Sequence, residues 1–237
     1  MRIAYCPVHY GSTYFREAIE SVAPHVEKVF ILYTRTPSFG HGTSVRCPES
    51  EEQLRACTES FGNLVQWHVG SWNAENQHRN TIFRLCPEAD TVLPFDSDEI
   101  WKPDDLVRCI AEAEQSPARN FLIQGWFHFW RSFDYACSDV WAPVRIIRPK
   151  GIGDTTLQGC VYHFGYAIPE NLMLYKWMIH GHLRELRPEW MKDVFLANRK
   201  TDCHPTTRNW WNAMPFDKTT LPDSLKAHAN YGKELIR

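Results

Sequence analysis

The chain has 237 residues, of which 43% are apolar and 23% are charged. This composition is typical of an ordinary globular protein and excludes disorder over most of the length. The formal net charge of −2 excludes a protein that coats nucleic acid along its whole surface. Because no run of about 18 apolar residues occurs, no membrane span is predicted, and the N-terminus lacks the long apolar core of a signal peptide.

The eight cysteines are scattered, with no C-x-x-C pair. Such spacing argues against a zinc site and against a dense disulfide framework. We interpret the cysteines as mostly buried thiols, which predicts a cytoplasmic protein.

The first half alternates between strand-like and helix-like segments. Apolar runs predict strands at residues 2–6, 28–33, 64–69 and 90–95. Helical spacing predicts helices at residues 14–22, 49–61, 73–85 and 104–114, with a loop over residues 34–48. This alternation predicts an α/β fold with a mainly parallel central sheet and helices on both faces. In such sheets, ligands bind beyond the carboxyl ends of the strands.

The second half is less regular and ends in a loop-rich tail that we expect to wrap the domain. Strands are predicted at residues 121–129 and 141–148, and helices at residues 172–182 and 189–197. No repeat or clear linker occurs, so residues 1–237 are predicted to form one domain. Residues 1–175 hold 15 Lys and Arg against 21 Asp and Glu, a net of −6, whereas residues 176–237 hold 11 against 7, a net of +4. The basic end is either ordinary fluctuation or a surface for an anionic partner.

A pair of carboxylates separated by one residue follows the fourth predicted strand. Asp96 and Asp98 stand at the carboxyl end of the buried segment 90–95. Mg²⁺ and Mn²⁺ prefer oxygen ligands and often bind through one or two carboxylates together with substrate phosphates. The D-x-D segment is therefore a candidate metal site, with a solvated acidic turn as the alternative.

The order of elements resembles that of GT-A glycosyltransferases, particularly the family 2 type. The resemblance covers residues 1–165 and begins with the strand and loop at residues 3–10 and the second strand at residues 28–33. Its most specific part is the segment 73–106, in which a helix carrying an Arg-Asn pair, at residues 75–80, precedes the D-x-D strand. The resemblance implies a GT-A fold, with residues 1–110 as a nucleotide-sugar-binding half and residues 111–237 as an acceptor-side half.

The resemblance also implies a nucleotide-sugar donor, usually a UDP-sugar, and a bound Mn²⁺ or Mg²⁺ ion. Asp98 would be the direct metal ligand and a catalytic residue, Asp96 would hold the ribose or the metal through water, and Arg79 would reach the diphosphate. The implied donor-binding residues are Pro7, Tyr10, Thr34, Glu75, Arg79 and Asp96. An Arg on the surface of a helix is the alternative interpretation of Arg79.

A late histidine completes the metal site in many members of this fold family. His163 fits that place and would join Asp96 and Asp98 as a metal ligand, with a hydrogen-bonded core histidine as the alternative. In some family 2 members a Glu base follows this histidine, but Phe164 stands there in this chain. An inverting transferase needs a carboxylate to deprotonate the acceptor, whereas a retaining one need not have it there, and the sequence leaves the two open. Asp134, Asp139 and Asp154 lie between the D-x-D segment and His163; Asp139, just before a predicted strand, is the preferred candidate, with a structural role as the alternative for each.

A finer likeness concerns the C-terminal third. Residues 175–182 and 202–205 resemble small glycosyltransferases encoded by phages, which implies a hydroxymethylated pyrimidine base in DNA as acceptor and the host cytoplasm as location. Aromatic rings can hold an extruded base while cations follow the phosphates. The residues in question are Trp177, Trp190, Trp210 and Trp211 with Lys176, Arg184, Arg187, Lys192, Arg199, Lys200 and Arg208.

Three other functions fit the same sequence. The first is an ordinary saccharide or polysaccharide glycosyltransferase. The second is a hydrolase that pairs Asp98 with another carboxylate. The third is a non-catalytic sugar- or nucleic-acid-binding module, for which stacking rings would come from Trp126, Trp130, Trp177, Trp210 and Trp211. The sequence leaves the oligomeric state open.

Overall fold

The computed structural model describes residues 1–38, 43–179, 185–206 and 211–235. Its strands are β1 (Arg2–Val8), β2 (Lys28–Thr34), β3 (Val65–Gly70), β4 (Thr91–Pro94), β5 (Glu99–Trp101), β6 (Asn120–Trp130), β7 (Tyr135–Asp139), β8 (Val144–Ile147), β9 (Asp154–Tyr166) and β10 (Met214–Pro215). Its α-helices are α1 (Phe15–Val22), α2 (Glu51–Ala56), α3 (Glu75–Asn80), α4 (Ile82–Leu85), α5 (Pro103–Gln115), α6 (Glu170–Met178) and α7 (Asp223–Lys226). None of these helices is long and apolar enough to cross a membrane.

The described strands form one sheet in the order β10-β7-β6-β8-β4-β1-β2-β3. Strands β4, β1, β2 and β3 run parallel to one another. The sheet turns antiparallel at β8, and the long strand β9 lies parallel to β6 and antiparallel to β5. The predicted α/β class is confirmed, with the parallel strands on one side of the sheet, from β4 to the edge strand β3. Strands from both predicted halves lie in this sheet, and the division of labour between the halves stays a prediction.

The central strand β1 is buried on both faces because helices cover both sides of the sheet. Ala4 and Cys6 pack into one apolar cluster with residues of α1 and α5. Ile3 and Tyr5 point the other way and pack with Ile82 of α4. A parallel strand covered on both faces is expected to be an unbroken apolar run, as residues 2–6 are.

A third, aromatic cluster joins β6 and β9 to the C-terminal segments. The rings of Phe129 and Phe164 are stacked with centroids 4.3 Å apart, and Trp190 packs edge-on against Trp130. The tail returns to the start of α1, where the His228 ring stacks on Tyr14. His228 Nε2 also forms a 2.8 Å hydrogen bond with the carbonyl oxygen of Thr13. This part of the tail therefore packs against the start of α1, and the expected wrapping of the whole domain stays a prediction.

Several predicted elements have different bounds. The helix predicted at residues 73–85 divides into α3 and α4, and the one at residues 49–61 ends at Ala56 and is followed by a 3₁₀ helix, Glu59–Leu64. The strand predicted from residue 141 begins at Val144, after Pro143, whose missing N–H cannot join a ladder. The helix at residues 189–197 is a π-helix, Met191–Leu196, and part of the helix predicted at residues 172–182 lies outside the described residues.

Strands β5, β7 and β9 were not predicted. Strand β9 contains glycines that weaken an isolated strand, and its position comes from pairing with β6. Gly125 and Gly159 meet in this pairing so closely that a Cβ on Gly125, which has φ +115°, would lie 2.0 Å from the carbonyl oxygen of Gly159. The ladder shifts register at this point.

Candidate functional site

The D-x-D turn lies at the carboxyl end of the central parallel strands. Phe95 follows β4 and donates its backbone N–H to the carbonyl oxygen of Tyr5 in β1 at 3.0 Å. The Asp98 carbonyl accepts a hydrogen bond from Phe164 at 2.8 Å, which ties the turn to β9. The side chains of Asp96 and Asp98 are 30% and 20% exposed. The turn is thus held inside a cleft and is not a solvated acidic turn.

Two arginines hold Asp96. Arg79 Nη2 donates to Asp96 Oδ1 at 2.9 Å, and Arg145 Nη2 donates to Asp96 Oδ2 at 3.1 Å. Burial raises the pKa of Asp96, but the guanidiniums of Arg79 and Arg145 outweigh it and leave this pKa well below its usual range. Both oxygens of Asp96 are therefore used by arginines, which favours contact with a metal or ribose through water over direct ligation.

Arg145 also forms a buried ion pair with Glu99, the first residue of β5. The guanidinium donates to Glu99 Oε2 at 2.7 Å through Nε and to Oε1 at 2.5 Å through Nη2. Burial raises the pKa of Glu99, and Arg145 opposes this shift. The arrangement holds Asp96 in place, because the Arg145 guanidinium bridges the carboxylates of Asp96 and Glu99.

Asp98 faces a histidine and a lysine. His163 Nε2 lies 3.6 Å from Asp98 Oδ1, and Lys176 Nζ lies 3.5 Å from Asp98 Oδ2. Lys176 also donates to the carbonyl oxygen of Gly165 at 3.1 Å. A Cβ on Gly165 would lie 2.4 Å from His163 Cε1 and 2.5 Å from Lys176 Nζ, so only glycine leaves room for both groups. Sequence reasoning assigned Lys176 to the basic C-terminal surface and not to this site.

Asp98 and His163 fit a divalent cation as two of its ligands. No set of three or more His, Cys, Asp or Glu side chains is arranged for a metal within the described ranges. A cation here would therefore take its other ligands from substrate phosphates and water, as Mg²⁺ commonly does. The imidazole ligand favours a first-row transition ion such as Mn²⁺ over Mg²⁺.

The sequence-predicted donor residues converge on one cleft of about 210 Å³. The predicted residues that line it are Pro7, Tyr10, Thr34, Glu75, Arg79, Asp96, Asp98 and His163. They come from the ends of β1, β2 and β4, from α3 and from β9. The carboxyl ends of parallel strands meet at one edge of the sheet, which explains the convergence.

Two histidines that sequence reasoning missed also line this cleft. His9 Nδ1 donates to the Thr34 carbonyl at 2.8 Å, so its Nε2 accepts from the Tyr175 hydroxyl at 2.7 Å. His78 Nε2 donates to the Leu32 carbonyl at 2.7 Å, and burial lowers the pKa of His78 to about 4. His9 ties the loop after β1 to the end of β2, and His78 ties α3 to β2. Only the density of histidines near the predicted motifs could have indicated them.

The loop after β1 packs directly on the D-x-D turn. Gly11 has φ +115°, and a Cβ there would lie 2.2 Å from Ser97 Oγ. The backbone N–H groups of Gly11 and Ser12 donate to the carboxylate of Glu49 at 2.5 and 3.1 Å. Glycine is needed here for the left-handed backbone and for the close approach.

A larger cleft of about 930 Å³ adjoins the first and shares seven of the described lining residues with it, among them Arg79, Asp96, His163 and Lys176. It continues along His128 of β6, Asp139 of β7 and Arg145 of β8, and along Trp141 in the loop between β7 and β8. Trp141 is 59% exposed. A second molecule in the larger cleft could therefore lie against residues that the occupant of the first cleft also contacts.

Asp139 lies at the end of β7, and its predicted place just before a strand is wrong. Its side chain is 5% exposed. Asp139 Oδ1 accepts from the Trp141 backbone N–H at 3.0 Å, and Oδ2 lies 3.2 Å from His128 Nε2. Its role as acceptor base stays a prediction, whereas its position favours holding His128.

His128 links Asp139 to His163, and sequence reasoning missed it. His128 and His163 are paired in the β6–β9 ladder, with their Nδ1 atoms 2.8 Å apart. Burial lowers the pKa of both histidines, so both rings are neutral at neutral pH. A histidine within an apolar strand was the signal available in the sequence.

Most of the tryptophans named for an aromatic surface are buried, among those that the structure describes. Trp126, Trp130, Trp190 and Trp211 are at most 4% exposed and belong to the core. Trp177 stacks on Trp190 with ring centroids 4.8 Å apart. Large rings were needed to fill the space between β6, β9 and the tail. Trp210, Arg184 and Arg208 lie outside the described residues.

The other expected basic residues fall into two groups. Lys176 faces Asp98, Arg187 pairs with Asp202 at 3.0 Å, and the ammonium of Lys200 lies over the Tyr135 ring. Lys192 and Arg199 are exposed. The exposed basic surface in the described part of the chain is therefore smaller than the sequence suggested.

Comparison with known proteins gives distant structural likenesses. No family model and no curated protein matches the chain. A structure of S. aureus TarS residues 1–349 is 14% identical over 84% of this chain and 68% of its own, with a TM-score of 0.45. The same fragment in complex with UDP is 18% identical over 53% of this chain and 36% of its own, with a TM-score of 0.36. UTP-bound UGPase from Acinetobacter baumannii is 13% identical over 76% of this chain and 98% of its own, with a TM-score of 0.37.

The chain spans about a third of the length of the UDP-bound fragment that it matches. With identities under 20% and TM-scores under 0.5, function has to be assigned from the geometry of the site itself.

Proposed function

We propose that this chain is a glycosyltransferase that moves a sugar from a UDP-sugar to an acceptor hydroxyl with the help of Mn²⁺ or Mg²⁺. One observation carries the proposal. Arg79, Lys176 and the Asp98–His163 pair meet in one cleft at the carboxyl end of the parallel strands. Cations beside a pair of metal-ligand side chains suit a diphosphate with its counter-ion.

The chemistry of the leaving group agrees with this arrangement. When a sugar leaves a nucleoside diphosphate, negative charge develops on the phosphate oxygens, and preorganised cations stabilise it. A divalent cation, when bound, supplies Lewis-acid stabilisation of that charge. Arg79 and Lys176 are placed to donate hydrogen bonds to phosphate oxygens, and Asp96 keeps the Arg79 guanidinium in place.

The larger cleft is the proposed acceptor site because it shares seven of the described lining residues with the donor cleft, His163 and Lys176 among them. A saccharide hydroxyl is the preferred acceptor, since the exposed Trp141 offers a flat apolar face at the rim. A hydroxymethylated pyrimidine in DNA is the second candidate, supported by the net charge of +4 over residues 176–237 and by exposed Lys192 and Arg199.

The test is turnover with a panel of UDP-sugars in MnCl₂, MgCl₂ or EDTA. Each donor is offered with three acceptors, namely small saccharides, hydroxymethyl-pyrimidine DNA and unmodified DNA. We expect UDP release and sugar transfer that require a divalent ion. Donor binding without transfer or UDP release would favour a binding module, and cleavage of a glycosidic bond with no nucleotide present would favour the hydrolase. Full turnover in EDTA would remove the metal from the proposal.

A further inference from the structure

Three side chains stand in line behind the Asp98 carboxylate. Asp139 Oδ2 lies 3.2 Å from His128 Nε2, the Nδ1 atoms of His128 and His163 are 2.8 Å apart, and His163 Nε2 lies 3.6 Å from Asp98 Oδ1. The paired register of β6 and β9 fixes the two rings opposite each other. The line therefore runs from the buried end of β7 to the donor cleft.

The short Nδ1–Nδ1 contact allows a single proton between the two rings. If His128 supplied it, the neutral ring would turn a bare Nε2 lone pair toward the Asp139 carboxylate at 3.2 Å. Two electron-rich atoms in a buried place repel each other. If His163 supplies the proton, His128 carries its own proton on Nε2, facing Asp139, and accepts at Nδ1. This second arrangement turns the His163 Nε2 lone pair toward Asp98 instead, but at 3.6 Å, with Asp98 20% exposed and the Lys176 ammonium 3.5 Å away to offset its charge. It is therefore the more favourable of the two.

The surroundings of His128 support a neutral ring with one defined tautomer. His128 is 6% exposed and stacks on Trp211 with ring centroids 4.3 Å apart. Its Nε2 is buried, and none of the described groups meets it in full hydrogen-bond geometry. The Asp139 carboxylate lies 3.2 Å away and is the group that orients the ring electrostatically. A buried cationic ring would need fuller compensation than this.

We propose that Asp139 and His128 are positioning residues that hold His163 in its Nδ1–H tautomer, so that its Nε2 lone pair points toward Asp98 as a metal ligand. The proposal rests on the proposed function for its metal. A ligating histidine commonly donates its other ring N–H to a partner that fixes its orientation and raises its affinity for the ion. In this chain the partner is a second histidine, which is itself oriented by a carboxylate.

The tautomers can be measured without metal, donor or acceptor. In protein labelled with ¹⁵N-histidine at neutral pH, long-range ¹H–¹⁵N spectra distinguish Nδ1–H from Nε2–H rings. We expect His163 to be Nδ1–H and His128 to be Nε2–H. His128→Phe keeps a ring against Trp211 but removes the acceptor, so His163 is expected to shift toward its Nε2–H tautomer. An Nε2–H form of His163 in the wild type, or no shift in the variant, would overturn the proposal.

Metal affinity gives a second measurement. In the presence of UDP, we expect Asp139→Ala and His128→Phe to weaken Mn²⁺ binding roughly 10–100-fold, as loss of an outer partner typically does. The matched control is Asp134→Asn, which lies before β7, pairs with Lys218 and lines neither cleft. The control should bind Mn²⁺ as the wild type does.

The two measurements separate the two ideas. Folded variants, verified by thermal unfolding, that bind Mn²⁺ like the wild type would overturn the positioning role. A wild type that binds no Mn²⁺ would count against the metal in the proposed function, and the metal-free spectra would still decide between the tautomers.

Discussion

The two adjoining clefts are bounded by two sets of residues, here called the donor wall and the ladder wall, which hold their charged groups in different ways. The donor wall comprises Pro7, Thr34, Arg79 and Asp98, which stand at or just beyond strand ends or on α3. Its two charged side chains reach partly into solvent, with Arg79 at 28% and Asp98 at 20% exposed. The ladder wall comprises His128, Arg145 and His163 on β6, β8 and β9, with Asp139 and Glu99 behind them. Here strands and side-chain contacts keep charges in the interior, with Arg145 at 7% and Glu99 at 3% exposed.

This difference has an energetic consequence. A partly exposed charge that loses its partner is solvated by water, whereas a buried charge left alone is not. Changes in the ladder wall should therefore lower the stability of the fold, and changes in the donor wall should lower turnover or donor binding while the fold persists. Each prediction below tests one side of this contrast.

The largest expected effect is on stability in the ladder wall. Arg145→Met leaves Glu99 buried without its partner, so we expect the free energy of unfolding to fall by about 3–5 kcal/mol. Urea unfolding measures this change. The control Arg108→Met removes an arginine that is 45% exposed and pairs with Asp105 on α5, and it should cost at most about 1 kcal/mol. Equal losses in the two variants would contradict the contrast between the walls.

The next effect is on turnover in the donor wall. Asp98→Asn removes the charge that faces His163 and Lys176, so we expect turnover to fall about 10²–10³-fold, as after loss of one transition-state contact. The melting temperature should stay close to that of the wild type. Initial rates with a UDP-sugar measure the loss, and Asp104→Asn in the first turn of α5 is the control. A variant as active as the wild type would exclude Asp98 from the chemistry.

The donor wall is also the part that could be predicted from the sequence. Strands β1 to β4 are short apolar runs, and the groups that line the first cleft follow those runs within a few positions. The D-x-D segment could be placed because the carboxyl ends of parallel strands converge at one edge. Each inference needed only local information along the chain.

The ladder wall required information that is not local. His128 and His163 are 35 residues apart and meet only through the register of β6 and β9. Strand β9 was missed because its glycines weaken the strand pattern in the sequence. Its position is set by pairing with β6, which the sequence does not show. Trp190 and Trp211 were assigned to a surface because composition does not tell a core ring from a stacking platform.

A third prediction concerns His78, which lines the first cleft beside the donor wall but is buried like the ladder wall, at 3% exposed. Its pKa is about 4 in the folded chain against about 6.5 unfolded. Between these values the unfolded chain binds a proton that the folded chain does not, so stability falls as the pH drops through this window. From pH 7 to pH 5 we expect the wild type to lose about 2 kcal/mol more than His78→Gln does. Equal losses of stability in the wild type and in His78→Gln, measured by urea unfolding, would show that the pKa of His78 is the same in the folded and the unfolded chain.

The smallest effect separates two roles of Arg79. Its guanidinium contacts Glu75 and Asp96 at 2.8 and 2.9 Å, so it either binds the diphosphate or only orders these carboxylates. Arg79→Lys keeps the charge but loses the planar fork that contacts two partners at once. If Arg79 binds the diphosphate, the dissociation constant for UDP with MnCl₂ should rise about tenfold, the loss of one charged hydrogen bond. Calorimetric titration measures this, with Arg84→Lys on the exposed side of α4 as control. An unchanged constant, with the fold intact, would leave Arg79 as a support for Asp96 and place the phosphate contact on Lys176.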